Sequence, residues 1–340
     1  MFADGRFYWS TVKAGRKDDM GESIKLTLGL AVTPRTRALF DGSVRPEGIQ
    51  LRCERQFGDG LDNTGARHRA ILGGAIDGGE CSTSSLILAR MRGASLRGLP
   101  VFPARQFRHR CIFCPVTSTL SDPSELKGKR VIAHRYNATT AVWLRGLLQD
   151  EYGLSPEQME WYVAEPDVGE EAGNPPPKSV TVNFIASPRT REHAIELVEN
   201  GTIDAALEPY GSLAKNPKLR RLLKDHRREE ADYFRRTQVI PVIHTLVLQE
   251  ELAAKQPWIL ESLLSSFRKA RALEDKYMTE EEKGDARWLS EAIGYDPYAY
   301  SFDVSTRKSL HALIRCQMQQ GLLDREPALE DLFFRETMSA

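Results

Sequence analysis

"AILGGAIDGGECS", Ala70 to Ser82, has an echo in "ELVENGTIDAALEPY", Glu196 to Tyr210. Each runs from a helix end through glycine to Ile-Asp and a short strand. Each delivers a glutamate, Glu80 or Glu208, to that strand's carboxyl end, the edge outside which ligands sit in open α/β sheets. Two halves presenting the same edge predict two α/β lobes facing each other across a cleft. At 340 residues the chain has the length for it, since single cores rarely grow beyond about 250–300 residues.

The flanking segments fit this frame. "IKLTLGLAV" (24–32) and "GIQLRCERQF" (48–57) read as strands around a short helix in "PRTRALFDG" (34–42). A helix to Leu72, the strand 75–80 and a helix from Ser84 to Met91 follow. This alternation implies a mostly parallel sheet covered by helices. A second βα series starts at "DPSELKGKRVIAH" (122–134) and continues in a helix over 138–150. The Pro/Gly/Glu-rich segment 164–179 reads as a long surface loop. "RRTQVIPVIHTLVLQ" (235–249) reads as a long strand returning to the first lobe, and helices over 256–278, 284–293 and 304–320 complete that lobe. The expected division is an N-terminal extension over 1–22, a first lobe over 23–115 and 241–340, and a second over 116–240, with crossings near Pro115 and Pro241.

Composition narrows the function classes. Lys+Arg and Asp+Glu are 47 each, so no overall basic field gathers nucleic acid or anionic membrane. No signal-like apolar core opens the chain and no run approaches the roughly 20 apolar residues of a membrane span, which predicts a cytoplasmic protein. The five cysteines suggest no even disulfide framework. Cys111 and Cys114 have a zinc-site or redox spacing, but in a β-like run they point to opposite faces and read better as buried thiols.

One stretch resists a structural reading. "VFPARQFRHRCIFCP", Val101 to Pro115, looks like a buried strand, yet Arg105, Arg108, His109 and Arg110 crowd its first half. Buried cations are costly without partners. They can await an anionic ligand or pair with the protein's own carboxylates.

"RTRALFDGSVRPEGI" (35–49), "VFPARQFRH" (101–109), "TTAVWLRGLLQDEYG" (139–153) and "FRRTQVIPVIH" (234–244) together resemble, in the same order, the 4,5-dihydroxyphthalate decarboxylase family. The similarity runs from about Ile24 to Phe334. It implies a two-lobed type II periplasmic-binding-protein-like fold and loss of carbon dioxide from a hydroxylated aromatic acid. It also covers Glu80 and the serine-rich segment from Ser82. Arg135, Ala138, Thr140 and Glu208 depart from the family pattern, which bears on which aromatic acid is used.

Decarboxylating a phenolic acid requires arginines to grip the carboxylate, a base for the phenolic proton and an acid for the ring carbon. The phenol is its own electron source, so no organic cofactor is expected; no Gly-rich phosphate loop is present. The expected catalytic residues are His244, Glu80 and His109. Arg35, Arg105, Arg108, Ser82, Ser84, Thr139, Thr140 and Arg236 are expected to bind substrate, with Arg108, His109 and His244 meeting at one hollow. Arg110 reads as structural and Trp143 as core. A divalent metal on Glu80, His109, His134 and His244 is the alternative to metal-free chemistry. The expected partner is a small aromatic carboxylate, with no nucleic acid or membrane; self-association stays open. The competing function is a solute-binding protein that closes on a small carboxylate without catalysis.

Overall fold

Leu26 and Leu28 are buried while Lys25 is exposed, the alternation of a strand with one face in the core. The computed structural model describes residues 23–57, 60, 61, 64–164, 175–209 and 211–339. The expected extension over 1–22 lies outside them, as does most of the expected loop 164–179. In chain order, β1 (Ile24–Gly29) and β2 (Ile49–Glu54) precede a hairpin of β3 (Gln56–Phe57) and β4 (Gly60–Leu61). Then come β5 (Gly78–Ser82), β6 (Leu96–Gly98) and β7 (Ala104–Arg105). A second sheet holds β8 (Ile112–Pro115), β9 (Arg130–Ala133), β10 (Glu160–Val163), β11 (Val182–Phe184), β12 (Ala205–Leu207) and β13 (Leu219–Arg221). The last strand, β14 (Val242–Gln249), rejoins the first sheet.

The first sheet has the order β2-β1-β5-β14-β6, with β7 also on β14. The second runs β11-β10-β9-β12-β8-β13. In the first, β1 is parallel to β2 and β5, whereas β14 is antiparallel to β5. Val242, Ile243 and Thr245–Leu248 are all buried, as suits a strand covered on both faces.

The echo that opened the reading is a shared structural device. Asp77 Oδ2 accepts from Thr27 N at 2.6 Å, and Asp204 Oδ2 accepts from Arg130 N at 2.9 Å. Each aspartate, just before its strand, thus ties down the backbone of the neighbouring parallel strand, β1 or β9. Asp77→Ala and Asp204→Ala each orphan a part-buried N–H. Each is expected to cost about 1–2 kcal/mol, read as a lower urea midpoint at unchanged m-value. The glycines of "GG" serve β5 itself. Gly79 has φ 146°, and a Cβ there would meet the backbone of Gly29.

Two expected strands are broken. The run 101–115 divides into β7, a 3-10 turn over His109–Cys111 and β8, so the chain changes sheets before Ile112 and not at Pro115. The run 235–249 starts as helix. Asp225 caps the helix His226–Thr237, which buries Tyr233 and Phe234, and Gln238 at φ 58° ends it before β14 begins. The long strand read from sequence is therefore the end of a helix, a left-handed residue and β14. The helix Glu280–Ile293 starts earlier than expected because Thr279 and Glu282 form a capping box. The other predicted elements fall close to their expected places.

Candidate active site

Because β14 is antiparallel to β5, its first residues lie level with β5's last, and His244 stands opposite Ser82. There His244 Nδ1 and Glu80 Oε1 are 2.5 Å apart. Glu80 is 3% exposed, and its Oε2 accepts from Ala31 N at 3.2 Å, just past β1. Burial alone would raise this carboxyl's pKa. The hydrogen bond and charge of His244, the charge of Arg67 and the Ala31 N–H together outweigh that, bringing it down to about 2. An ionised Glu80 accepts from Nδ1 of the part-exposed His244 ring.

Sequence reasoning missed Arg67 and His68, on the helix Thr64–Leu72. Both are 1% exposed. His68 Nε2 accepts from Ser82 N at 3.2 Å, so the ring is neutral and carries its proton on Nδ1. Its pKa is held well below the usual range by burial first, then by Arg135, Arg67 and His244. Its ring and that of His244 are nearly perpendicular, with centroids 5.8 Å apart. Arg67 Nε donates to Glu80 O at 3.3 Å. Both lie one turn before Ile71, on its buried face.

Ser82, Ser84 and Thr139 are brought together, and they join the two sheets' segments. Thr139 opens the helix Thr139–Tyr152 that follows β9. Ser82 Oγ and Thr139 Oγ1 share a hydrogen bond of 2.5 Å, Ser84 N donates to Thr139 Oγ1 at 3.0 Å, and Ser84 Oγ donates to Asn137 O at 3.0 Å. Thr140 is half-buried beside them.

The arginines expected to bind substrate go elsewhere. Arg105 is 2% exposed, and its guanidinium donates to Pro297 O, Thr306 Oγ1, Ile240 O and Ser309 Oγ. Arg35 donates to Pro103 O at 3.1 Å, pairs with Glu274 at 3.3 Å and stacks on Tyr298. It lines a cavity of about 150 Å³ with Arg110, Glu282 and Asp285, whose lining includes neither Glu80 nor His244. Arg236 makes a surface ion pair with Glu151. Arg108 and His109 line a small cavity at the crossing that does not include His244. The 3-10 turn that breaks the predicted strand sends them there, to a lining that His244 does not share. Arg110 pairs with Glu230 at 2.8 Å and 3.0 Å, as its structural reading expects. Trp143 is 3% exposed and donates to Val242 O.

His134 lines another small cavity with Glu208 and Arg191. Glu80, His109, His134 and His244 thus do not form one ligand set. Among the described residues, no group of three or more His, Cys, Asp or Glu side chains is placed to hold a metal. Cys53, Cys81, Cys111, Cys114 and Cys316 are free thiols, and no helix among the described residues is long and apolar enough to cross a membrane.

No protein-family model matches the chain. Among curated proteins, it is 28% identical over 299 residues to a 4,5-dihydroxyphthalate decarboxylase of Comamonas testosteroni, spanning 82% of this chain and 87% of that one. It is 33% identical over 140 residues to a protein of the same name from Pseudomonas putida, spanning 40% of this chain and 52% of the other. Among solved structures, the periplasmic aliphatic sulphonate binding protein SsuA of Escherichia coli covers 93% of this chain and 94% of its own, with a TM-score of 0.56 at 14% identity. That likeness concerns the fold alone. The resemblance first carried by four short blocks thus extends over most of the molecule: the chain is a homologue of the proteins named 4,5-dihydroxyphthalate decarboxylase, built on the two-lobed fold of periplasmic binding proteins.

Proposed function

We propose that the chain is a carboxy-lyase that decarboxylates a hydroxylated aromatic acid such as 4,5-dihydroxyphthalate, with the Glu80–His244 pair moving the proton. The observation that carries this reading is that pair, 2.5 Å apart at the carboxyl end of β5, in a chain similar over 82% of its length to a protein named for this activity.

His244 Nε2 takes the phenolic proton, and the oxygen's electron pair moves into the ring toward the carbon para to it, which bears the carboxylate. The imidazolium returns a proton to that carbon. The carbon–carboxylate bond then breaks and carbon dioxide leaves. The bonding pair restores the aromatic ring as a phenolate, which is reprotonated from solvent. Glu80 stabilises the imidazolium between the two transfers, each expected to gain on the order of 10²–10⁴-fold from a well-placed group. Arg67 and Arg135, both of which act on His68, supply the positive field for the substrate carboxylate in place of Arg105 and Arg35.

We propose that this route needs no organic cofactor and no metal, because the phenol supplies the electrons. Purified protein, stripped by chelator and incubated with 4,5-dihydroxyphthalate in D₂O, is expected to release one carbon dioxide per substrate. It should place one deuterium on the vacated carbon. Recovery of unchanged ligand alongside ligand-induced thermal stabilisation would instead identify a binding protein, and activity restored only by a divalent ion would overturn the metal-free route.

A further inference from the structure

The two crossings between the sheets run side by side, with Gln106 N donating to Pro241 O at 3.2 Å. Against them lies a cavity of about 10 Å³ whose lining includes Arg108, His109, Trp143, Asp150, Tyr233 and Cys316. Arg108 is 4% exposed. The hydrogen bond its guanidinium makes among the described residues is a weak one to Cys111 Sγ at 3.8 Å, its Nε has no partner, and no carboxylate pairs with it. Burial raises the Cys111 pKa, so that thiol is no counter-charge. Among the described residues, His109 Nδ1 also lacks a partner. Burial first, then Arg236, His226 and Arg110, bring the His109 pKa down to about 3, so the ring is neutral and offers one N–H.

The surrounding charges are otherwise matched. Arg110 is held by Glu230 and Arg236 by Glu151. Asp150 lines the cavity, but its oxygens are taken by Arg315 at 3.1 Å and 2.6 Å. Among the described residues, Arg108 is thus a buried cation at this cavity with no carboxylate beside it. A water could meet its unpaired N–H but not its charge, and an uncompensated buried charge is strongly destabilising.

We propose that this cavity is a binding site for a single small monovalent anion of chloride size, held by Arg108 and His109 where the chain passes between the lobes. The anion neutralises Arg108 and accepts the His109 N–H. It also packs against Trp143 of the helix after β9 and Cys316 of the helix Val304–Gln319, so its occupancy braces the crossing. Neither Glu80 nor His244 lines the cavity, and the proposal stands whichever reaction the Glu80 site performs.

The test is a bromide soak of crystals of the full chain, paired with thermal unfolding in gluconate buffer with and without chloride. The expected results are an anomalous peak within hydrogen-bonding distance of the Arg108 guanidinium and a chloride-dependent rise in Tm of about 2 °C or more. Arg108→Met, which keeps the bulk and removes the charge, should lose both. Density in the cavity without anomalous signal identifies water and overturns the site. So does a peak with no chloride effect on Tm, which marks binding at soak concentration only, or a chloride effect equal in wild type and variant. Should Arg108→Met fail to fold, the wild-type crystal and melting data decide alone.

Discussion

Replacing His244 by alanine is expected to lower kcat for 4,5-dihydroxyphthalate by about 10²–10⁴-fold while leaving KM within a few-fold. The ring is part-exposed at the start of β14, so its loss removes a proton carrier and leaves the Glu80 carboxylate to the Ala31 N–H and the charge of Arg67. Glu80→Gln should act through the same ring. A glutamine amide can accept the Nδ1 proton but has no charge to stabilise the imidazolium, so a loss on the order of 10²-fold in kcat is expected. The double variant should be little worse than His244→Ala, because the two act as a unit. Single-turnover rates for the three proteins check this. Wild-type rates in both single variants would remove the pair from the mechanism.

The same pair links stability to acid. The Glu80 carboxyl sits at about 2 in the folded protein against an ordinary value of 4.5. Folding therefore favours its ionised form. The stability it contributes is fully present above pH 4.5 and is lost as pH falls from there toward 2. Urea midpoints of wild type and Glu80→Gln should converge over that window.

The fold was legible in the sequence to the extent that local pattern and tertiary role coincide. The echo of Ile-Asp-strand-Glu identified two equivalent sheets because Asp77 and Asp204 perform the same backbone task in each. Glu80 and His244 were legible because strand ends and apolar flanks place them at an edge whichever strands become neighbours. Ser82 and Thr139 were legible as helix-start hydroxyls, although their mutual hydrogen bond depends on how the sheets meet. Three things were hidden. The segments 101–115 and 235–249 have strand-like composition, but the need to change sheets breaks the first with a 3-10 turn, and a capping aspartate makes the second start as helix. Arg67 and His68 lie in a helix whose apolar pattern is weak, so its buried polar face gave no periodic signal. And an arginine in an apolar run looks the same in sequence whether it waits for a ligand or holds backbone carbonyls.

Arg105 settles that last ambiguity by experiment. Arg105→Ala is expected to lower folding stability by about 3–5 kcal/mol, with KM in whatever folded protein remains changed less than about three-fold. The guanidinium reaches Ile240 O just before β14, Pro297 O in the loop after the helix Glu280–Ile293, and Thr306 and Ser309 on the helix Val304–Gln319. Tyr298 donates back to Arg105 O at 2.7 Å. One side chain thus ties the C-terminal helices to the return crossing. Its removal leaves buried acceptors without donors and a cavity the size of a long side chain, two costs that add. Arg105→Lys keeps the charge but cannot span the fork of acceptors, and should recover only part of the loss. A substrate-gripping arginine would behave in the opposite way, with stability nearly intact and kcat/KM reduced by orders of magnitude. Chemical denaturation and steady-state kinetics on the same preparations distinguish the two.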